Sequence, residues 1–138
     1  WSTPLTVHGV FQQPIVHHSW THQQGNDHVR AELARLDRYH IEQFAYVAEK
    51  MRGIKEGGDS LLDNTMFLFG SGLSSGQEHV YTNLPLVIAG SAGGSIRTNR
   101  HVQSEQGTPV ANLWLALTRI MGSQADSLGD STSALSLS

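Results

Sequence analysis

The sequence holds no cysteine at all. That removes disulfides, thiolate metal sites and cysteine nucleophiles, and leaves the redox compartment undetermined. Charge is also scarce: 15% of residues are charged, with nine basic against twelve acidic side chains and a formal net charge of -3. No stripe of Lys or Arg stands out, so nothing in the composition points to nucleic acid. No apolar run approaches the roughly 18 residues of a membrane span. The first residues, WSTPLTVHGVFQQP, lack the basic-then-apolar layout of a signal peptide and begin without Met. The chain therefore reads as a processed protein or as a piece of a longer one.

What remains is globular in character. The 138 residues suit one domain or part of one, and 38% of them are hydrophobic, too many for a disordered chain. Fourteen glycines are more than a helical bundle tolerates.

Residues 1–26 read as irregular, because Pro4, Gly9 and Pro14 interrupt any period, with LTVHGVF as at most one short strand. A long helix is predicted next. Asn26 or Asp27 can cap it, since a short side-chain oxygen accepts from the orphan N–H groups of the first turn. Leu33, Leu36, His40, Phe44, Val47 and Met51 then recur at three- and four-residue steps as an apolar stripe. Gly53 ends this helix, and KEGGDS reads as an exposed turn. Two short apolar runs follow, NTMFLFGSG and LPLVIAGSAGG, each closed by glycines. Their lack of alternation predicts strands buried on both faces, as in a parallel sheet covered by helices. Between them lies the Gly- and Ser-rich segment Ser71–Asn83, long enough to carry function. A second helix is signalled by GTPVANLWLALTRIMG. Thr108 is its expected N-cap, Pro109 its first position, and Leu113, Leu117 and Ile120 its inward face, flanked by Trp114 and Met121, with Gly122 as its stop. The expected fold class is α/β, with helices on a small, mainly parallel sheet. Residues 27–122 form the core and 123–138 an extended polar tail. Two strands make a marginal sheet, so partner strands are expected from another chain or a missing N-terminal half.

The chemistry concentrates in HHSWTHQQGNDH, which holds His17, His18, His22 and His28. His18 and His22 are four apart, so a helical backbone would face both rings the same way. No Glu follows either one, which excludes the H-E-x-x-H zinc-protease pattern. Three readings stay open: metal ligation by neutral imidazoles, proton transfer by groups with a pKa near 6.5, and loop or core histidines bonded to backbone. His28 and His40 fit the last, His40 because it lies on the apolar stripe. The interspersed Ser, Trp, Thr and Gln exclude an affinity tag. His79 follows a predicted buried strand, where α/β proteins tend to hold their sites. Ser71, Ser74 and Ser75 are nucleophile candidates by type, but GSGLSSG is not the G-x-S-x-G elbow, which needs an immediately following helix. GSAGGS could cradle an anion, though no P-loop lysine accompanies it.

The order H-x-x-[ST]-H, RYHIEQFAYVAEKM, SLLDNTMFLFGSGLSSGQEH, NLPLVIAG, TPVANLWLALTRIMG and LGDST resembles the C-terminal part of the bacterial HXXSHH family, domain of unknown function 1552. The likeness runs from His17 to the end of the chain. It implies an exported protein, periplasmic or extracellular, and a C-terminal portion similar to that of the alkaline phosphatase and sulfatase superfamily. His18, Thr21, His22 and Gln23 fall on the H-x-x-S-H-H motif, and His79 and Asn83 on H-x-x-x-N-L-P. Thr21 replaces a serine, Gln23 a histidine, and Ser75 stands where relatives commonly carry aspartate. Two functions follow. The chain is a structural or interaction module or subunit of an HXXSHH-type protein. Alternatively it is a metal-dependent hydrolase of phosphate or sulfate esters. In the second case His18, His22 and His79 hold a divalent metal such as zinc or calcium, with His22 and His79 acting catalytically. Both placements need folding to bring the early imidazole pair and the ring at 79 to a polar hollow at the end of a covered sheet.

Overall fold

The computed structural model describes residues 4, 6–7, 9–11 and 14–138. Among these residues seven elements follow in order: α1 (His17–Thr21), α2 (Asp27–Gly53), β1 (Lys55–Glu56), β2 (Asp59–Ser60), β3 (Phe67–Gly70), β4 (Leu86–Ala89) and α3 (Ala111–Ile120). The chain divides into two units, Trp1–Val47 with Phe69–Val87, and Ala48–Leu68 with Ile88–Ser138. It is a mixed α and β protein. No helix among the described residues is long and apolar enough to cross a membrane.

In the first unit the expected cap forms. Asn26 Oδ1 accepts from His28 N–H at 3.0 Å and from Val29 N–H at 3.4 Å, which satisfies two orphan donors of α2. The stripe of α2 is buried only at its N-terminal end, through Val29, Leu33 and Leu36. Leu36 is fully buried and packs with Val7 and Ile15, and Val10, Phe11, Trp20 and Tyr39 close over them. His40, expected in the core, is exposed beside the Tyr39 ring. Val47 on the same stripe is also exposed, while Phe44 meets Phe69 of β3 at 5.6 Å. Periodicity reports which face is apolar, but not how far along the helix other elements cover it.

The segment expected to be irregular before α2 holds the short helix α1. The strand considered for LTVHGVF lies partly outside the described residues, and Gly9 and Val10 form a turn.

Among the described residues the mainly parallel sheet is not found: the two small sheets, β1–β2 and β3–β4, are antiparallel. At one end of β3–β4 Ser71 N–H donates to Pro85 O, and at the other Ala92 N–H donates to Thr65 O, so the strands run in opposite senses. The physical reason lies in the connection. A parallel pair needs a crossover, usually helical, whereas the segment after β3 contains only turns and a bridge. Neither strand is buried on both faces; their residues are partly buried or exposed. The apolar runs were short enough to mimic buried strands without being so.

In the second unit KEGGDS is more than a turn. Lys55 pairs with Ser60 and Glu56 with Asp59, around Gly57 and Gly58. Gly57 has φ +62, the left-handed backbone that two-residue hairpin turns demand. Gly90 follows β4 with φ +95, and a Cβ there would collide with the carbonyl oxygens of Thr65 and Leu62. Helix α3 begins at Ala111, two residues later than its expected first position, and Gly122 stops it at φ +92. It is buried nearly all round, through Ala111, Asn112, Leu113, Leu115, Ala116 and Leu117, and Ile96 and Leu137 of the same unit are buried too. Ile120, expected to face inward, is only partly buried.

The tail is tied down rather than lying free on the surface. Asn112 Oδ1 accepts from Thr132 N–H at 2.8 Å and Ser133 N–H at 3.3 Å, and Leu135 N–H donates to Asn112 O.

Candidate metal centre

Helix α1 is positioned by Trp20. Its ring meets Phe11 edge-on at 5.8 Å and closes over the core around Leu36. At about 100° per residue, positions two away on either side lie on the opposite face. Burying Trp20 therefore turns His18 and His22 outward together. Thr21 stiffens the turn by donating its hydroxyl to His18 O at 2.8 Å. His22 is the C-cap of α1, and its ring stacks edge-on against His18 at 4.8 Å.

The third ring comes from the segment between β3 and β4. Ser74 N–H donates to Val80 O at 2.8 Å and Val80 N–H to Ser75 O at 3.1 Å, which closes a small bridged turn. Inside it Ser75 Oγ donates to Glu78 Oε2 at 2.9 Å and accepts from Glu78 N–H at 3.4 Å. The role of Glu78 escaped the sequence reading, although the S-x-x-E spacing of Ser75 and Glu78 is the signal for such a reciprocal pair. His79 then sits at φ +54, a left-handed conformation uncommon for a residue with a Cβ. This turn carries its ring to 4.9 Å from His22 and 5.7 Å from His18.

The three predicted ligands thus come together. One ring nitrogen from each of His18, His22 and His79 lies within 4.8 Å of the others. A tetrahedral ion with bonds of about 2.1 Å needs nitrogens about 3.4 Å apart, so the rings must draw closer to close the set. All three rings are exposed, so the expected hollow does not enclose them. Partial desolvation, with the His22 and His79 rings nearby, holds the His18 pKa below the ordinary imidazole value. That favours the neutral form a ligand requires.

The donor set decides which metals fit. Three imidazole nitrogens suit Zn²⁺ and its borderline neighbours; Ca²⁺ takes six to eight oxygens and is not served here. Of the two metals expected, zinc fits and calcium does not.

The remaining motif residues do not join the cluster. Gln23 turns its amide back to Ser19 O at 3.0 Å. Asn83 is exposed at φ +54. The hydroxyls of Ser71, Ser74 and Ser75 are engaged with Leu73 N–H, Val80 O and Glu78 respectively, within their own loop. The GSAGGS segment forms no anion cradle. Gly93 N–H donates to Asp63 O and Gly94 N–H to Ser91 Oγ, and the adjoining cavity of about 390 Å³ is lined by Asp59 and Asp63. None of the three clustered histidines lines that cavity.

Comparison with protein-family models, with curated proteins and with solved structures finds no match to this chain.

Proposed function

We propose that this chain binds one divalent transition-metal ion, zinc by preference, through His18, His22 and His79. We further propose that the centre is of the open, hydrolytic kind. The observation that carries this reading is the convergence of three imidazoles, two from one helical turn and one from a distant loop. Three protein ligands leave a fourth tetrahedral position free, which separates catalytic zinc sites from closed structural ones. The metal supplies Lewis acidity toward an ester oxygen or a water molecule. The chain's own contribution is to hold three rings on hydrogen-bonded turns, with the Trp20 anchor behind one and the Ser74–Val80 turn behind the other. Phosphate or sulfate esters are the proposed substrate class. That choice, like an exported, periplasmic or extracellular location and the tie to the alkaline phosphatase and sulfatase superfamily, rests on the HXXSHH resemblance alone.

A second reading is a structural or interaction module, in which the same ion clasps α1 to the loop and another protein chain is the partner. The exposure of the three rings favours it, because no enclosed pocket forms around them to exclude water. Metal analysis of the purified chain, with hydrolysis assays on aryl phosphate and aryl sulfate, separates the two. Stoichiometric zinc with turnover that His79→Ala abolishes supports the hydrolase. Stoichiometric zinc without turnover supports the module. Zinc that binds equally to wild type and to the His18→Ala, His79→Ala double variant sinks the metal centre altogether.

A further inference from the structure

We infer that Gly76 is a positioning residue for the three-histidine cluster: the absence of a side chain there lets the loop rest on Thr21 and so delivers His79 to His18 and His22. The inference rests on the metal-centre reading and deepens it.

A Cβ on residue 76 would stand 2.8 Å from Thr21 Cβ, 3.1 Å from its Cγ2 and 3.3 Å from its Oγ1. Carbon atoms in contact prefer about 3.5–4.0 Å. The backbone of Gly76 has no positive φ to account for a glycine, so space is what position 76 requires. Gly72, in the same loop, would meet nothing within 4 Å.

Neither side has slack to absorb the extra carbon. The nearest atom is the branch point of Thr21, not the far end of a flexible chain, and Thr21 is fastened to His18 O. Behind it α1 is anchored by Trp20. On the other side residues 74–80 are cross-linked by the Ser74–Val80 and Ser75–Glu78 bonds, so a shift at 76 passes to 79. Restoring ordinary contact moves the loop outward by about 1 Å. Ligand constellations must hold to about 0.5 Å, so a further shift of that size weakens the third bond while the fold persists.

The test uses Gly76→Ala, Thr21→Gly, the double variant carrying both, and Gly72→Ala as the control. Two readouts are taken: nuclear Overhauser contacts between the His79 and His22 rings in metal-free protein, and Co²⁺ affinity from its visible absorption bands. Gly76→Ala is expected to lose the ring contacts and to bind Co²⁺ at least tenfold more weakly. Thr21→Gly removes all three clashing atoms, so the double variant is expected to return to the level of Thr21→Gly alone. Gly72→Ala is expected to match wild type. Retained contacts and affinity in Gly76→Ala overturn the inference, and so does a double variant that recovers neither. If Gly76→Ala fails to fold, recovery of fold and ring contacts in the double variant supports the inference and its absence overturns it. Wild-type protein that shows the ring contacts but no Co²⁺ bands refutes the metal reading while the contacts still judge the role of Gly76.

Discussion

His79 does at the scale of one residue what His18 and His22 cannot do together: it turns a pair of imidazoles into a cluster of three. Two rings on one helical turn bind a divalent ion weakly, and the third adds both a bond and geometric definition. Replacing His79 with alanine is therefore expected to weaken zinc binding at least a hundredfold. Because the ring is exposed, the far-ultraviolet circular dichroism should stay unchanged. Calorimetric titration checks the first and a spectrum the second; undiminished zinc affinity would remove His79 from the site. The pair was legible in the sequence because i and i+4 positions share a helix face whatever the rest of the chain does. The third member was not legible by the same logic. Its arrival depends on a bridged turn, a left-handed residue and a glycine that meets Thr21, and none of these has a period. His40 shows the opposite error: a correct helix with an incorrect environment, since the stripe it occupies runs past the part that is covered.

Elements were legible in proportion to how local their causes are. The long helix was predicted with its cap, because Asn26 and the apolar steps act within a few residues of each other. Strand direction was not, because it depends on what the connection does rather than on the strands. The β1–β2 hairpin and the bound tail were missed for related reasons: two-residue strands have no alternation to read, and a polar tail gives no sign of its partner. For the tail, one signal was present in Asn112, a polar residue within an apolar helical run.

Asn112 is buried; its side chain accepts from the Thr132 and Ser133 N–H groups and donates to the Thr132 hydroxyl. Asn112→Ala leaves two backbone donors without their acceptor, an expected cost of about 1–3 kcal/mol. Urea denaturation measures it, and a loss under about 0.5 kcal/mol would mean the tail is not fastened there.

The turn after β2 makes a further prediction. The Ser60 hydroxyl and N–H both donate to Asp63 Oδ2, at 2.6 and 3.0 Å, and with Lys55 nearby they hold the Asp63 pKa below the ordinary value. A carboxylate whose pKa is lower folded than unfolded adds stability that is complete above the unfolded value, about 3.9, and fades as pH falls through the folded one. Ser60→Ala should raise the Asp63 pKa and shrink that acid-side contribution, as carboxyl-carbon NMR titration would show. An unmoved titration would mean that the serine hydroxyl is not what holds the carboxylate ionised.

For the whole molecule the proposed metal centre implies a linkage between metal and stability. The cluster joins α1 to the loop between β3 and β4, segments far apart in sequence, and unfolding separates them. An ion that binds the folded arrangement and not the unfolded chain stabilises by RT ln(1 + [L]/Kd), about 2.7 kcal/mol at a hundredfold excess over Kd. Zinc is therefore expected to raise the thermal midpoint by several degrees, and to keep raising it with each further decade of free metal. His79→Ala should be blind to zinc, since two exposed rings add little that the unfolded chain lacks. Calcium at the same concentration should do nothing, because no oxygen set accompanies the imidazoles among the described residues. Differential scanning calorimetry over a zinc series, run on wild type and His79→Ala, puts both expectations on one plot. A midpoint that rises alike in the two proteins would mean that zinc acts elsewhere on the chain. A wild-type midpoint that does not move would mean that the three rings gather without holding a metal.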